Sequence, residues 1–195
     1  MIDTLYQNLG RIRQPSFWNE QKLEAGQFFL VTLHRPSNVD DPAKLRQLLE
    51  AINNSTGDYP VVFPVHPRTR KILDTFNIST DKLIQIDPLG YLEFIYLVKH
   101  TKGVITDSGG ITEEATVLHI PCLTLRNSTE RPETVTQGTN ELIGDNITKL
   151  EQYLQKIMQN NWKKGSIPDR WDGQTSERIV EILYALYQKE LAAAV

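Results

Sequence analysis

The sequence predicts an α/β protein built on a single doubly wound parallel sheet. Three observations indicate this fold. Short apolar runs alternate with segments of helical periodicity from Gln27 to the C-terminus. These runs are apolar on both faces, as strands buried inside a parallel sheet are. The 195 residues contain no internal repeat and no second alternating block, so we expect one such domain.

The elements follow one another in a regular order. Six short apolar runs are the predicted strands: 28–33, 61–65, 83–86, 103–106, 121–125 and 141–143. Apolar side chains at helical spacing mark the crossover helices between them: 41–54, 69–76, 92–100, 111–118 and 131–137. Two more helices, 148–160 and 175–191, follow the sheet and are separated by the turn-rich segment 165–173.

Composition and charge exclude several classes of protein. The one cysteine, Cys122, can form no intramolecular disulfide and no cysteine-based zinc site, so we expect it in the core. A net charge of −3 gives no global reason to bind nucleic acid or an anionic membrane. The longest apolar runs fall far short of the ~20 residues of a membrane span. Because Met1 to Arg13 has helical spacing rather than a signal peptide's apolar core, we expect a cytoplasmic protein.

Five of the predicted strands are followed by polar, basic or glycine-rich residues that a core does not require. In a doubly wound sheet, ligands bind outside the carboxyl ends of the strands, where the free N–H groups of helix N-termini attract anions. We therefore expect an anion site at this edge of the sheet. The segments that would form it are 34–38, 66–70, 88–91, 107–110 and 126–131.

The segment Asp107-Ser108-Gly109-Gly110 has two interpretations. As a phosphate site, its glycines let backbone N–H groups approach the ligand and Ser108 adds a hydroxyl donor. As a structural element, it is a tight turn from strand to helix. It is neither a Walker loop nor a dinucleotide fingerprint, so no NAD is predicted. Glu113 and Glu114 are either acids in the first helical turn or, if one turns inward, acceptors for a ribose diol.

The basic residues at the same edge can also be interpreted in two ways. His34 and Arg35 either contact a phosphate, with His34 able to transfer a proton, or are surface residues at a strand end. His66 opens the basic run 66–71, which is either a second anion site or a solvated helix start. Arg131 either reaches a diphosphate or forms a salt bridge within its loop. No metal is predicted, because no carboxylates or histidines have ligand spacing.

Several motifs at these strand ends belong together. They are Pro88-Leu89-Gly90-Tyr91-Leu92 with Phe94, Thr106-Asp107-Ser108-Gly109-Gly110-Ile111-Thr112-Glu113-Glu114-Ala115, Pro121-Cys122-Leu123-Thr124-Leu125-Arg126, Thr129-Glu130-Arg131-Pro132-Glu133-Thr134-Val135, Gly138-Thr139-Asn140, His34-Arg35 with Asn38, and Trp171-Asp172-Gly173. The set resembles the C-terminal half of the non-hydrolysing UDP-N-acetylglucosamine 2-epimerases, almost without gaps over 83–144.

The resemblance implies the two-Rossmann architecture of glycosyltransferase type B, of which this chain supplies one half. It divides the chain into an interdomain helix and linker (1–26), a Rossmann-like domain that binds UDP (27–165), and a C-terminal turn and helix (166–195) that packs back on this domain or on the missing N-terminal half. It implies a homodimeric full-length enzyme that takes a UDP-amino sugar and needs no cofactor.

The resemblance also assigns roles to residues. Phe94 and the backbone of the 88–91 loop, with Leu89 and Tyr91 as its UDP-binding residues, would flank uracil, and Glu114 would accept the ribose hydroxyls. His34 is the catalytic residue that this half supplies, close to the diphosphate. The remaining assigned residues are Ser108, Gly109 and Gly110 as diphosphate donors, Arg35 and Arg131 as further UDP ligands, and His66 at a possible second site.

The family reaction removes the proton at C2 of the sugar, expels UDP to leave a glycal, and adds UDP back with a proton delivered from the other face. The acid and base carboxylates of the family lie in the N-terminal half, so we expect this chain alone to be inactive. The basic run 66–71 resembles the variant in epimerases of diacetamido uronic acid nucleotides, which leaves that substrate as an alternative. The same Rossmann unit is also compatible with a stand-alone UDP-sugar-binding module, and with half of a hydrolysing epimerase or of a glycosyltransferase.

Overall fold

The computed structural model describes residues 1–80 and 83–193 of the chain. Its six strands are β1 (Phe29–Thr32), β2 (Val61–Pro64), β3 (Leu83–Ile86), β4 (Gly103–Thr106), β5 (Cys122–Thr124) and β6 (Asn140–Leu142). They form one parallel sheet in the order β3-β2-β1-β4-β5-β6. The predicted doubly wound sheet is confirmed. The winding reverses between β1 and β4, and in such sheets a ligand crevice opens at that point.

Nine α-helices are present in the described parts of the chain: α1 (Ile2–Asn8), α2 (Pro36–Val39), α3 (Pro42–Ser55), α4 (Pro67–Thr75), α5 (Tyr91–His100), α6 (Gly109–Val117), α7 (Pro132–Thr136), α8 (Ile147–Met158) and α9 (Thr175–Ala193). Several begin with proline in the first turn, where its missing N–H costs nothing. The Asp41 side chain caps α3 by accepting from the N–H groups of Ala43 and Lys44. None of these helices is both long and apolar enough to cross a membrane.

Two apolar layers cover the two faces of the sheet. Phe29 and Val31 point from β1 into the layer formed with α3 and α8, where Leu45 and Leu154 are fully buried. Phe28, before β1, and Leu30 face the opposite layer, formed with α5 and α6. This alternation explains why the strands are apolar on both faces. Cys122 is fully buried in the second layer, and burial raises the pKa of its thiol to about 12.

The N-terminal helix is attached to the edge of this domain. Ile2 and Leu5 of α1 are buried against Ile95 of α5 and Val117 of α6. Helix α1 therefore lies beside α6.

Helix α9 differs from the others because its apolar side chains are exposed. Val180, Leu183 and Tyr184 are each at least 60% exposed. The helix is fastened near its start, where the Ser176 N–H donates to the Asp3 carboxylate (2.9 Å). The predicted packing of this C-terminal helix, on this domain or on the missing N-terminal half, stays a prediction.

Two differences from the predicted elements affect the site. Helix α6 begins at Gly109, two residues before the predicted start, so Glu113 and Glu114 occupy its second turn and not the first. Both are buried, which makes the interpretation as first-turn acids wrong. The four-residue helix α2 is not predicted, because it is too short to show helical periodicity.

Candidate functional site

The carboxyl ends of β1, β2 and β3 open into a cavity of about 200 Å³. Four of the predicted site residues line it: His34, His66, Leu89 and Phe94. The two imidazole rings lie 6.3 Å apart, tilted by 46°. The rest of the wall is mostly apolar: Thr32, Leu33, Pro64, Pro88 and Ile111. An aromatic ring beside paired imidazoles in an apolar pocket suits a planar base joined to a polar or charged group.

Asp107 joins the ends of β1 and β4 at the point where the winding reverses. Its carboxylate is fully buried and accepts from the backbone N–H groups of His34 (3.0 Å) and Arg35 (2.9 Å). Its Oδ1 lies 2.8 Å from Nδ1 of His34, whose side chain is 45% exposed. The carboxylate therefore fixes the His34 ring while the opposite edge of the ring remains accessible.

Asn38 completes this cluster. Its side-chain amide donates to the carbonyl of Leu125 (3.0 Å) and to Oδ2 of Asp107 (3.3 Å), and the residue is buried. Neither Asp107 nor Asn38 is among the site residues predicted from the sequence. Both belong to the strand-end motifs, and the signal that could have found Asp107 is an aspartate directly after a buried strand.

The N-terminus of α6 carries the predicted diphosphate donors. Ser108 is its N-cap residue, and no side-chain capping hydrogen bond ties up its hydroxyl. The backbone N–H of Ser108 already donates to Thr106 Oγ1 (3.0 Å). A Cβ on Gly109 would lie 3.4 Å from Nη1 of Arg126, so this cation sits at the helix start.

Arg126 is a third functional candidate that the sequence prediction did not select. Its side chain is only 9% exposed and donates to Oε2 of Glu130 (2.8 Å). The guanidinium lowers the pKa of Glu130 to about 2. The ion pair therefore holds a cation at the start of α6 while its carboxylate partner faces solvent.

Glu114, predicted to hold the ribose, is 2% exposed and turned into the protein. The hydroxyl of Tyr91 donates to its Oε1 (3.0 Å). Burial raises the pKa of Glu114 to about 7, although the Tyr91 hydrogen bond favours the charged form. Burial and the nearby carboxylate also raise the pKa of Tyr91.

Arg131 forms a salt bridge, although with a partner outside its own loop. Its Nε donates to Oε1 of Glu113 (2.9 Å) on α6. Both residues line a larger cavity, of about 450 Å³, together with Met1 and Trp171. Met1 also reaches the start of α6, since a Cβ on Gly110 would lie 2.9 Å from its Cε.

The basic run 66–71 does not form one cluster. His66 is the exposed N-cap of α4, and its Nδ1 accepts from the N–H of Arg68 (3.3 Å). Arg68 pairs with Asp40, and Arg70 donates to Gln85. Only His66 of this run lines the smaller cavity.

Arg35 has an unsatisfied donor. Its Nε is buried and has no hydrogen-bond partner within residues 1–80 and 83–193. A buried charged donor without an acceptor is costly, so an anion supplied by a ligand would satisfy it. Over the same residues, no group of three His, Cys, Asp or Glu side chains could hold a metal ion.

The family model of UDP-N-acetylglucosamine 2-epimerase matches residues 1–184. The chain belongs to the UDP-N-acetylglucosamine 2-epimerase family. The predicted family and fold class are thereby confirmed, and the match corresponds to the C-terminal half of these epimerases.

Relatives within the epimerase family cover most of the chain. The UDP-N-acetylglucosamine 2-epimerase of Methanocaldococcus jannaschii is 40% identical over 94% of this chain and 52% of its own length. A Pseudomonas aeruginosa relative, UDP-2,3-diacetamido-2,3-dideoxy-D-glucuronate 2-epimerase, is also 40% identical, over 82% of this chain and 45% of its own. The chain thus spans about half the length of the curated relatives it matches.

Solved structures of the family have the same fold. The M. jannaschii epimerase in complex with UDP-GlcNAc and UDP superimposes with a TM-score of 0.78 at 40% identity, covering 94% of this chain and 52% of that one. S. aureus MnaA with UDP gives a TM-score of 0.78 at 30% identity, covering 95% of this chain and 52% of that one.

Proposed function

We propose that this chain is the UDP-binding half of a UDP-N-acetylglucosamine 2-epimerase. The observation that carries the proposal lies at the carboxyl end of β1, where His34 and Phe94 share a cavity that Ile111 of α6 also lines. The aromatic ring can pack against a base, and the helix N-terminus with its nearby cations can bind phosphates. Because these two subsites are adjacent, a single nucleotide can occupy both. Two related structures hold UDP.

The arrangement suggests how each part of UDP is bound. Uracil would pack against Phe94 and Leu89 in the smaller cavity, with Tyr91 at its edge. The ribose hydroxyls would reach Glu114, taking the place of the Tyr91 hydroxyl as its hydrogen-bond donor. The diphosphate would lie over Ser108, Gly109 and Gly110, where the unpartnered Nε of Arg35 gains an acceptor.

Arg131 and His34 would complete the diphosphate site. Arg131 is half exposed, so it can exchange its contact with Glu113 for a phosphate oxygen. Charge grows on the phosphate oxygens as the bond from the sugar to UDP breaks. Donors already aimed at those oxygens lower the barrier to that step, because they need no reorganisation. Stabilising the departing UDP is the catalytic contribution that we assign to this half.

We propose that the acid and base groups acting at C2 of the sugar belong to an N-terminal half. The exposed apolar side chains of α9 and the larger cavity beside Met1 provide a surface for it. The isolated chain would then bind UDP and leave a UDP-amino sugar unchanged. The homodimer of the complete enzyme remains a prediction.

The test is a calorimetric titration of the chain with UDP. We expect binding by the wild type, and binding weakened about tenfold or more in Phe94→Ala, because base stacking on an aromatic ring contributes about 1–3 kcal/mol. Phe76→Ala is the matched control, since Phe76 is an exposed phenylalanine at the end of α4. A folded wild type that does not bind UDP would refute the proposal.

A second substrate has its own support. The P. aeruginosa relative that acts on the diacetamido glucuronate is as identical to this chain as the M. jannaschii epimerase is. Product analysis with the complete enzyme and each of the two UDP-sugars separates the candidates. A stand-alone module would convert neither, even in the presence of an N-terminal half.

A further inference from the structure

The buried carboxylate of Asp107 has more donors around it than a structural turn needs. It accepts from two consecutive backbone N–H groups and from Asn38, and it faces Nδ1 of His34 at 2.8 Å. An ionised carboxylate can only accept hydrogen bonds. Nδ1 must therefore carry a hydrogen, and a neutral His34 presents the lone pair of Nε2 to the cavity.

From this geometry we infer that Asp107 is a positioning residue that makes Nε2 of His34 a proton acceptor, so that UDP binding loads a proton onto Nε2. The inference rests on the proposed function. A diphosphate oxygen cannot hydrogen-bond to a lone pair. When the diphosphate arrives, the ring gains a proton from solvent at Nε2 and becomes an imidazolium between two anions, which both stabilise it.

The loaded proton lies where the reaction needs one. It would be donated in a hydrogen bond to the phosphate oxygen on which charge grows as UDP leaves, and no proton has to travel during that step. The carboxylate takes no proton itself. Its role is to select the tautomer and to stabilise the imidazolium, as buried aspartates do for histidines in other active sites.

The neighbouring charged groups leave this assignment to His34. Arg35 and Arg126 are permanent cations and cannot gain a proton. His66, the other ring in the cavity, uses its Nδ1 to accept from the N–H of Arg68 at the start of α4. Protonating that nitrogen would break the helix cap, so His66 keeps its proton on Nε2.

Substituting Asp107→Asn is expected to reverse the tautomer of His34. The amide oxygen must take the Oδ2 position, because two backbone N–H groups point at it. The NH₂ group then faces Nδ1 of His34 and donates to it. His34 is forced into the other tautomer, with the hydrogen already on Nε2.

The first measurement reads this tautomer in the free protein by ¹⁵N–¹H NMR of the imidazoles at about pH 8, where a histidine in solution is neutral. The chain has four histidines, so His34→Gln identifies the signal. We expect hydrogen on Nδ1 in the wild type and on Nε2 in Asp107→Asn. The same tautomer in both proteins, or hydrogen on Nε2 in the wild type, would overturn the inference.

The second measurement counts protons taken up with UDP, by calorimetry in buffers of different ionisation enthalpy at the same pH. We expect the wild type to take up about one proton more per UDP than Asp107→Asn does. The comparison is made between the two proteins because both contain Glu114, whose raised pKa lets its own protonation change when UDP binds. Asp74→Asn, which removes an exposed carboxylate from α4, is the control and should behave as the wild type does. Unchanged uptake in Asp107→Asn would overturn the inference.

Two further results keep the outcomes distinct. If Asp107→Asn does not fold, His34→Gln takes its place, because it leaves the buried carboxylate and its backbone donors intact and should bind UDP with about one proton less taken up than in the wild type. Uptake in His34→Gln equal to that of the wild type would overturn the inference. A folded wild type that shows the Nδ1 tautomer but binds no UDP would refute the proposed function, since the tautomer measurement needs no ligand.

Discussion

Glu114 is a carboxyl group whose ionisation the fold opposes. Its pKa is raised to about 7, while the same group in the unfolded chain ionises near pH 4.5. Between these values the folded protein holds a proton that the unfolded chain has released. The carboxyl therefore costs stability as the pH rises through this window, and above pH 7 the cost is roughly 3 kcal/mol.

We predict that Glu114→Gln removes this pH dependence, because the neutral amide has nothing to ionise. Urea unfolding at pH 5 and at pH 8 measures it: the variant should gain stability relative to the wild type at pH 8 and little at pH 5. Glu20→Gln, at an exposed glutamate, is the control and should show no such difference. An equal effect of Glu114→Gln at both pH values would contradict the prediction.

At the residue scale, the sequence allows prediction of groups whose chemistry is local. His34 and His66 follow their predicted strands directly and Phe94 lies in α5 after β3, and the sheet brings all three to one cavity as expected. The contacts of Asp107 could not be predicted in this way. They depend on β1 and β4 being neighbours although they are more than 70 residues apart in sequence.

Among the secondary-structure elements, a close approach of two loops at Gly138 and Gly165 fixes the segment that leads to α9. A Cβ on Gly165 would lie 2.6 Å from the carbonyl carbon of Gly138, and the next residue, Ser166, donates its N–H to Gln137 (2.8 Å). Backbone atoms cannot move aside as a flexible side chain does. This contact explains why glycine stands at 165. At 138 a Cβ would instead lie 2.5 Å from Oγ1 of Thr116 and 2.6 Å from the carbonyl oxygen of Thr134.

We predict that Gly165→Ala destabilises the protein by about 1–3 kcal/mol, the usual cost of overpacking. Chemical denaturation with tryptophan fluorescence measures it. Gly10→Ala is the matched control, because no atom lies within 4 Å of its added Cβ, and it should be neutral or slightly stabilising. A Gly165→Ala protein as stable as the wild type would show that the two loops can separate.

The sequence predicts the elements well and their ends less well. All six strands lie where alternation of apolar runs placed them, because burial on both faces leaves few other options. The start of α6 was missed by two residues, since Gly109 and Gly110 carry no apolar periodicity. Those two residues decide whether Glu113 and Glu114 lie in the first or the second turn of α6.

At the scale of the whole molecule, α9 presents an apolar surface that no other element covers within residues 1–80 and 83–193. Leu183 is 60% exposed and Leu186 is 52% exposed, on a helix attached near its start. We predict that the double change Leu183→Gln and Leu186→Gln leaves the unfolding free energy within about 0.5 kcal/mol of the wild type. It should also lower binding of a hydrophobic dye.

The control for α9 is Leu154→Ala, at a fully buried leucine of α8, which should cost about 2–5 kcal/mol. Thermal unfolding and dye fluorescence distinguish the two cases. A large loss of stability in the α9 variant would mean that the helix is held by this domain and is not available to another half.

The buried thiol of Cys122 can report when the domain opens. A maleimide attacks only a thiolate that it can reach, and the native protein withholds both the charge and the access. Because the chain has no other cysteine, each alkylation event records one opening of the sheet at β5. Labelling rates measured with and without UDP would therefore report how much bound UDP stabilises the folded domain, without any introduced probe.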